Sequence, residues 1–168
     1  MSGRPIVSSA HLVSERSAEL SEFEFGLNMA ANAYHRWIVR CAAAAGLPGL
    51  APVDVLTLHL ANHRGREKRL SDLCFMLNVE DAHIVNYALR KLARLGLVAG
   101  ARRGKEIFWS TSEAGRAACG RYREVREACL IQALGSAGLG NREIGEQASR
   151  LRALSGLYDQ AARAATSL

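Results

Sequence analysis

The feature that most constrains the fold is a short helical pattern followed, after a two-residue turn, by a longer helical pattern between residues 70 and 96. The short pattern, LSDLCFML, has an apolar side made of Leu73, Phe75, Met76 and Leu77. Ser71 is predicted to cap this helix, because its hydroxyl can accept a hydrogen bond from a backbone N–H two or three residues further on. Asn78 and Val79 make the turn. The pattern therefore predicts a helix-turn-helix.

The longer pattern covers about Glu80 to Leu95 and has two chemically different sides. At about 100° per residue, one side gathers apolar residues that are expected to pack: Ile84, Val85, Ala88, Leu89, Leu92 and Leu95. The other side gathers polar residues that can donate hydrogen bonds: His83, Asn86, Tyr87, Arg90 and Arg94. Gly96 is placed to end the helix as a C-cap. One face of this helix is predicted to pack and the other to bind.

Two short strand patterns follow the second helix. Leu97–Gly100 and Glu106–Ser110 are predicted to pair as a hairpin, with the segment ARRGK at its tip. This order of elements is a winged helix-turn-helix, in which the hairpin is the wing, and it favours DNA binding. Arg102, Arg103 and Lys105 in the tip are predicted to contact the minor groove or the backbone, because a narrow groove attracts guanidinium groups.

Further helical patterns lie on both sides of this unit. Apolar residues at spacings of three and four predict long helices from Ser17 to about Ala45 and from about Arg142 to Ala165. A shorter helix is expected from about Pro52 to Asn62. Another long helix, capped by Ser112, is expected to run to about Leu134. The predicted fold is therefore mainly α, with a small β-hairpin wing.

These elements suggest four segments. Residues 1–17 show no periodicity and are predicted to be a mobile arm. Residues 18–50 and 112–168 are predicted to be dimerisation helices, because their apolar stripes are too large to expose on a monomer. Residues 51–111 form the predicted winged helix-turn-helix lobe.

The positive charge of the chain is concentrated on the predicted lobe. The formal net charge is +6, and ten Lys and Arg against five Asp and Glu between Ala61 and Glu106 supply +5 of it. A phosphate backbone is the expected partner of such a surface. Next to the first helix of the motif, Lys68, Arg69 and Ser71 are predicted to contact that backbone.

Several other classes of protein find little support in the sequence. No apolar stretch approaches the roughly 18 residues of a membrane span, and the opening residues lack the apolar core of a secretory leader, so a cytoplasmic location is expected. The four cysteines form no CxxC pair, which favours reduced thiols over disulfides or zinc. His59 and His63 have metal-ligand spacing but no third ligand nearby, so no metal and no cofactor are predicted.

Three segments resemble the MarR family of winged-helix transcription regulators: LSDLCFMLN, YALRKLARLGLV and SEAGRAACGRY, the last similar to that family's Thr-Glu-x-Gly-Arg opening of the helix after the wing. The resemblance is close over about residues 50–125 and rests on helix order elsewhere. It implies a two-fold dimer formed by the long helices. The wing departs from the family in lacking an aspartate that would hold a groove-entering arginine, and Glu106 is the nearest candidate to replace it.

The resemblance also implies a crevice for small aromatic or phenolic effectors between the dimerisation helices and the DNA-binding lobe. The aromatic and methionine side chains of the first long helix are candidates to line it, with core packing as the alternative: Phe23, Phe25, Met29, Tyr34 and Trp37. Some relatives sense peroxide with a cysteine near tyrosines in this helix. Cys41 is the corresponding candidate here, against the alternative of a small buried side chain.

The sequence therefore predicts a homodimeric transcription regulator, most simply a repressor, that binds double-stranded DNA at a pseudo-palindromic operator. One alternative is a winged helix that binds proteins instead of DNA, and another is a thiol-based redox sensor that uses Cys41. An enzyme is not predicted, because no nucleophile lies near a plausible base and no glycine-rich phosphate loop precedes a helix.

Overall fold

The computed structural model describes residue 12, residues 14–138 and residues 140–168. Most of the predicted arm at residues 1–17 lies outside the described residues, and its mobility stays a prediction; within it, Ser14 and Ser17 form an isolated antiparallel bridge. The chain divides into two compact units, residues 1–125 and residues 126–168. None of the described helices is both long enough and apolar enough to cross a membrane.

The first unit contains the helix-turn-helix and the wing. Its helix α2 has the predicted bounds, and the helix-turn-helix and wing fall within a few residues of theirs. The elements are α1 (Leu20–Ala44), α2 (Pro52–Asn62), β1 (Lys68–Arg69), α3 (Leu70–Leu77), α4 (Ala82–Arg94), β2 (Val98–Arg103), β3 (Glu106–Thr111) and α5 (Glu113–Arg126).

The second unit continues as a π-helical turn, Glu127–Ile131, then α6 (Gln132–Ser136) and α7 (Asn141–Ala165). The helix predicted to run to about Leu134 is thus helical throughout, but its regular α-helical part ends at Arg126. The final helix was predicted within one residue of its observed start. No residue of α7 is buried, although the helix carries an apolar stripe.

The core of the first unit lies between α2, α4, the sheet and the adjoining ends of α1 and α5. In α4, the buried residues are Val85, Ala88, Leu89 and Leu92, each 0% exposed, as the periodicity predicts. The prediction fails for Ile84 and Leu95, which are 47% and 53% exposed. Ile84 lies in the first turn and Leu95 follows the last turn, where no neighbouring element covers them.

The apolar side of α3 also differs from the prediction. Leu73 is fully buried and Leu77, one turn later, packs against the core, but Phe75 is 87% exposed. Met76 is exposed as well. In a helix, residues four apart share a face and residues two apart point to nearly opposite sides. The core selects the Leu73–Leu77 face, so Phe75 lies on the solvent side.

Capping fixes where α3 and α4 begin and end. The predicted Ser71 cap of α3 is wrong: the N-cap is Arg69, two residues earlier, and the Asp72 carboxylate accepts the N–H of Arg69 at 2.9 Å. This hydrogen bond is the main reason that the pKa of Asp72 lies below its ordinary value. At the start of α4, the Asp81 carboxylate accepts the N–H of His83 at 2.9 Å. Asn78, with a φ of 52°, adopts the left-handed conformation that the turn requires.

The end of α4 is the predicted glycine cap. Gly96 has a φ of 71°, and the N–H of Leu97 donates to the carbonyl of Leu92 at 2.9 Å. Ser112 caps α5 as predicted, since its Oγ accepts the N–H of Gly115 at 3.0 Å. The same hydroxyl donates to the carbonyl of Gly96 at 2.6 Å. The cap of α5 is therefore joined to the end of α4.

The sheet has three antiparallel strands in the order β1-β3-β2. Strand β1 is not predicted from the sequence, because its two residues are too few to show an alternating pattern. Lys68 pairs with Trp109 and Arg69 with Phe108. We call the side with the buried Lys68 and Trp109 the inner face and the opposite side the outer face.

A buried ion pair holds the back of α4. The Asp54 side chain is 2% exposed, and its Oδ2 accepts from Nζ of Lys91 at 2.6 Å. The same oxygen accepts the N–H of Ala51 at 2.7 Å and so caps α2. Nζ of Lys91 also donates to the carbonyl of Gly49 at 2.8 Å. These bonds join the loop before α2 to the helix that carries the predicted donors.

Gly115 is expected to be indispensable to this packing. A Cβ at this position would overlap the carbonyl oxygen of Leu97 and the methyl group of Thr111, whereas a Cβ at Gly120, in the same helix, would meet nothing within 4 Å. Gly115→Ala should therefore destabilise the protein by about 1–3 kcal/mol through overpacking. Gly120→Ala should stabilise it by about 0.5–1 kcal/mol through helix propensity. Urea denaturation measures both, and equal midpoints for the two variants would contradict the backbone contact.

Candidate nucleic-acid interface

The donor side of α4 faces solvent, as the periodicity predicts. His83, Tyr87, Arg90 and Arg94 are exposed and Asn86 is half-buried. Their positions are fixed by the buried side of the same helix and by the ion pair of Lys91 with Asp54. The helix therefore presents its polar groups on a rigid support.

Two clefts lie beside these donors, and Trp109 of β3 lines both. One, of about 480 Å³, is lined by Tyr87, Arg90, Ala93, Arg94 and Trp109. The other, of about 260 Å³, brings Asn86 next to Ser71 of α3 and Lys105 of the wing. Most of the predicted donors thus lie in grooves between α4 and its neighbours, while His83 lines neither groove.

The wing places its two arginines on opposite faces. Arg102 and Arg103 belong to strand β2, so the prediction that they form the hairpin tip is corrected: the turn is Gly104 and Lys105. Arg102 pairs across the strands with Ile107 and shares the inner face with it, because residues directly opposite each other point to the same side. Arg103 is the next residue along the strand and points outward. Only Arg102 therefore shares a face with Trp109, beside α4.

The two arginines also differ in their contacts. Nη2 of Arg103 lies 2.7 Å from Oε2 of Glu67, and its guanidinium lies 5.1 Å from the ring centroid of Phe108. Nε of Arg102 donates to the carbonyl of Gly104 at 3.2 Å. Glu106, the predicted partner of a wing arginine, instead pairs with Arg69 at 3.5 Å.

The three residues predicted to contact the DNA backbone have different environments. Lys68 is buried, and its Nζ donates to the carbonyls of Ala61, His63 and Arg66 at 3.4, 2.7 and 2.9 Å. Burial lowers its pKa. We therefore assign Lys68 a structural role in place of the predicted phosphate contact. Arg69 and Ser71 remain exposed beside the Asn86 cleft.

The cations of the lobe fall into two groups, those that already contact other protein groups and those that are exposed to solvent. Lys68 and Lys91 are committed to internal contacts, and Arg69 and Arg103 to carboxylates. The remaining six are exposed, and among the described residues no carboxylate lies within ion-pair distance of them: Arg64, Arg66, Arg90, Arg94, Arg102 and Lys105. They lie on α4, the wing and the loop before β1, where they give the surface its positive potential.

The predicted effector pocket is not formed by its predicted residues within the first unit. Phe23, Phe25, Met29 and Tyr34 are exposed on α1, and Trp37 packs partly against the core. The α1 side chains point outward over these turns because no other part of the first unit covers them. A cleft of about 360 Å³ lies further along α1 and has a different, more basic lining of Asn32, His35, Arg36, Val39, Arg40 and Pro52.

Three of the four cysteines, Cys41, Cys74 and Cys119, lack the environment of reactive thiolates. The Cys41 side chain is 1% exposed, and its thiol donates to the carbonyl of Tyr122 across 3.6 Å. Burial raises the pKa of Cys119 to about 11 and raises that of Cys74 as well. Cys129 is the exposed cysteine. His59, which has metal-ligand spacing to His63, packs edge-on against Tyr122 with ring centroids 4.3 Å apart.

Sequence reasoning missed two residues that organise the interface, Asp54 and Glu67, and it assigned Lys68 to the DNA backbone instead of to the loop that it holds. Asp54 had a usable signal, since proline at the first position of a helix and an acidic residue at the third are typical of a helix start. Glu67 and Lys68 had none, because their partners lie on other elements or on a loop of irregular conformation.

Comparison with known proteins agrees with this geometry. Residues 50–115 match the family model of a winged helix DNA-binding domain. No protein with a curated description matches the sequence. A MarR family regulator from Neisseria meningitidis superimposes with a TM-score of 0.67 at 16% identity, covering 85% of this chain and 95% of that one.

Two structures of CouR are also similar. The repressor bound to a 23-mer DNA duplex gives a TM-score of 0.65 at 18% identity, covering 83% of this chain and 96% of that one. CouR from Rhodococcus jostii bound to p-coumaroyl-CoA gives 0.66 at 14% identity, covering 79% and 90%. Residues 50–115 therefore match a winged helix DNA-binding domain, and the chain has the fold of the MarR family of winged-helix transcription regulators, as its sequence motifs predict.

Proposed function

We propose that the protein is a transcription regulator that binds a pseudo-palindromic operator as a homodimer and acts as a repressor. The observation that carries the proposal is the exposed donor face of α4, which together with the wing and the loop before β1 presents six cations that have no carboxylate partner among the described residues. All of these lie inside a segment that matches a winged helix DNA-binding domain. Repression is supported by the likeness to CouR, which is described as a transcriptional repressor.

In the proposed complex, α4 enters the major groove and the wing reaches the adjacent minor groove. Asn86 can bind adenine through two hydrogen bonds, and Arg90 can bind guanine or a phosphate. His83 and Tyr87 suit phosphates or thymine methyl groups, and Ile84 adds an exposed apolar group beside them. Arg64 and Arg66, on the loop before β1, extend the positive surface toward the backbone.

The proposal of a dimer rests on two exposed apolar faces. In α1, Leu20, Phe23, Phe25 and Met29 are all at least 36% exposed. In α7, a helix of 25 residues without a buried position, the exposed apolar residues on one side include Ile144, Leu151 and Tyr158. Amphipathic helices are normally stabilised by burial of their apolar face. A second copy of the chain supplies the simplest cover, and two-fold symmetry then matches the symmetry of a palindromic operator.

We also propose a small-molecule effector, and the structure changes the kind of molecule expected. The cleft on α1 contains His35, Arg36 and Arg40, which suit an acidic group better than a neutral phenol. The similar CouR structure holds p-coumaroyl-CoA, an aromatic molecule with phosphate groups. We assign the exposed aromatic residues of α1 to the proposed dimer contact instead.

The rival functions have less support. A protein-binding winged helix would have no need of the basic, unpaired side chains found on α4 and the wing. A thiol sensor that uses Cys41 would need an accessible thiolate, whereas this thiol is buried and donates a hydrogen bond.

The proposed function is tested by selecting bound sequences from a random DNA pool with the full-length protein. We expect an inverted repeat whose half-sites lie about 34–36 Å apart, one helical turn, because two α4 helices related by a two-fold axis would enter successive major grooves. Failure to enrich any sequence would favour the protein-binding rival.

The selected sequence then tests the face of α4. Asn86→Ala should weaken binding to it roughly five- to 150-fold, the equivalent of about 1–3 kcal/mol for a lost bidentate base contact. Arg90→Ala should either lose discrimination at one base pair or lower the salt dependence by about one phosphate contact. The control is Arg123→Ala, an exposed arginine of α5 with the same change of charge. Titration of labelled operator measures all three, and the assignment is wrong if they behave alike.

The dimer is tested on α7. Ile144 and Leu151 lie on one line of the helix surface, and replacing both with Glu should give a monomer that binds the operator poorly. Ala153→Glu with Gln160→Glu adds the same two charges on the opposite side of α7 and should leave the dimer intact. Analytical ultracentrifugation distinguishes the two results. A stable dimer of the Ile144 and Leu151 double variant would refute this interface.

A further inference from the structure

The outer face of the wing carries an ion pair that joins its distal end to the loop before β1. Glu67 and Arg103 are in contact at 2.7 Å, with side chains 35% and 61% exposed. The guanidinium of Arg103 lies over the ring of Phe108, at 5.1 Å from its centroid. Arg103 is the last residue of β2, next to the turn, so this pair fastens the wing close to its tip.

Glu67 is held by its own surroundings. The next residue, Lys68, donates to three carbonyls of the preceding segment, at Ala61, His63 and Arg66. That segment includes Arg64 with a φ of 59°, an uncommon conformation that these bonds help to maintain. The backbone that carries Glu67 is therefore held by contacts that do not involve Arg103.

The distal half of the wing has few other supports. Strand β1 pairs only with Phe108 and Trp109, and β2 is an edge strand. Beyond that point the wing consists of two strands, and an isolated two-stranded hairpin is only marginally stable. Besides the β2–β3 pairing, the outer-face ion pairs of Glu67 with Arg103 and of Arg69 with Glu106 hold it.

We propose that Glu67 is the positioning residue of the wing: it holds Arg103 against the outer face and thereby leaves Arg102, on the inner face beside α4, as the arginine that enters the minor groove. The inference rests on the proposed DNA binding. A wing ordered in the free protein avoids the entropic cost of ordering it on DNA.

The sign of the effect separates positioning from simple electrostatics. Removing a negative charge near DNA should strengthen binding if charge alone matters. If Glu67 positions the wing, Glu67→Gln should instead weaken operator binding, by about two- to tenfold for the loss of prior order in a few side chains. Glu80→Gln is the matched control, since Glu80 is an exposed carboxylate near α4 that contacts no wing residue in the structure. It should bind as tightly as the unaltered protein or more tightly.

A second measurement needs no DNA. Trypsin cleaves after Arg102, Arg103 and Lys105, and native proteolysis followed by mass spectrometry reports how often the wing opens. Glu67→Gln should speed cleavage at these bonds without lowering the unfolding midpoint, because an exposed ion pair adds little global stability. Glu80→Gln should leave the cleavage rate unchanged.

A double-mutant cycle completes the test. Glu67→Gln and Arg103→Gln should together weaken operator binding no more than either alone, because each removes the same contact. Arg102→Gln should weaken binding further in any of these backgrounds. Additive losses from Glu67→Gln and Arg103→Gln, tighter binding of Glu67→Gln, or an unchanged cleavage rate would overturn the proposal. If the unaltered protein enriches no DNA, the proposed function fails, and the cleavage rate alone decides whether Glu67 orders the wing.

Discussion

The arrangement of the DNA-binding lobe depends on the ion pair of Asp54 with Lys91. Asp54 is almost fully buried, so its charge must be matched by partners inside the fold, and it has two: the ammonium of Lys91 and the N–H of Ala51. A single carboxylate thus caps the N-terminus of α2 and holds α4 in position. Removing one member of such a pair leaves the other uncompensated, which costs more than the pair contributes when intact. The orientation of the donor face follows from this one contact together with the four buried residues beside it.

The number of Lys and Arg residues alone overstates how many side chains are available to contact phosphates. The lobe has ten Lys and Arg, but the structure uses Lys68 to hold a loop, Lys91 to hold α4 and Arg103 to hold the wing. Each of these cations has a geometry that a solvated side chain would not keep. Cations that position other groups and cations that are free to meet phosphates are therefore interleaved along the same segment, and only their contacts separate them.

The features that could be predicted from the sequence are those determined by residues close together in the chain. Helix α2 is bounded by Pro52 and Asn62 as expected, Gly96 ends α4, and the buried Val85, Ala88, Leu89 and Leu92 follow the helical period. The exposure of His83, Tyr87, Arg90 and Arg94 follows from the same period. The features that the sequence did not predict depend on residues that are distant in the chain. A two-residue strand exists only because β3 lies beside it, the partner of Arg103 is 36 residues away, and Phe75 is exposed because no element covers that side of α3.

The close approach of Gly115 to Leu97 has a mechanical consequence. Around this point the end of α4, the start of β2 and the first turn of α5 meet backbone to backbone, with Ser112 bonded to both Gly96 and Leu97. Side chains in a core can change rotamer and absorb a displacement, but main-chain groups in contact cannot. A tilt of α5 at its first turn must therefore carry α4 with it. In a dimer joined through its outer helices, such a joint would convert a small change in helix angle into a change in the distance between the two DNA-binding faces.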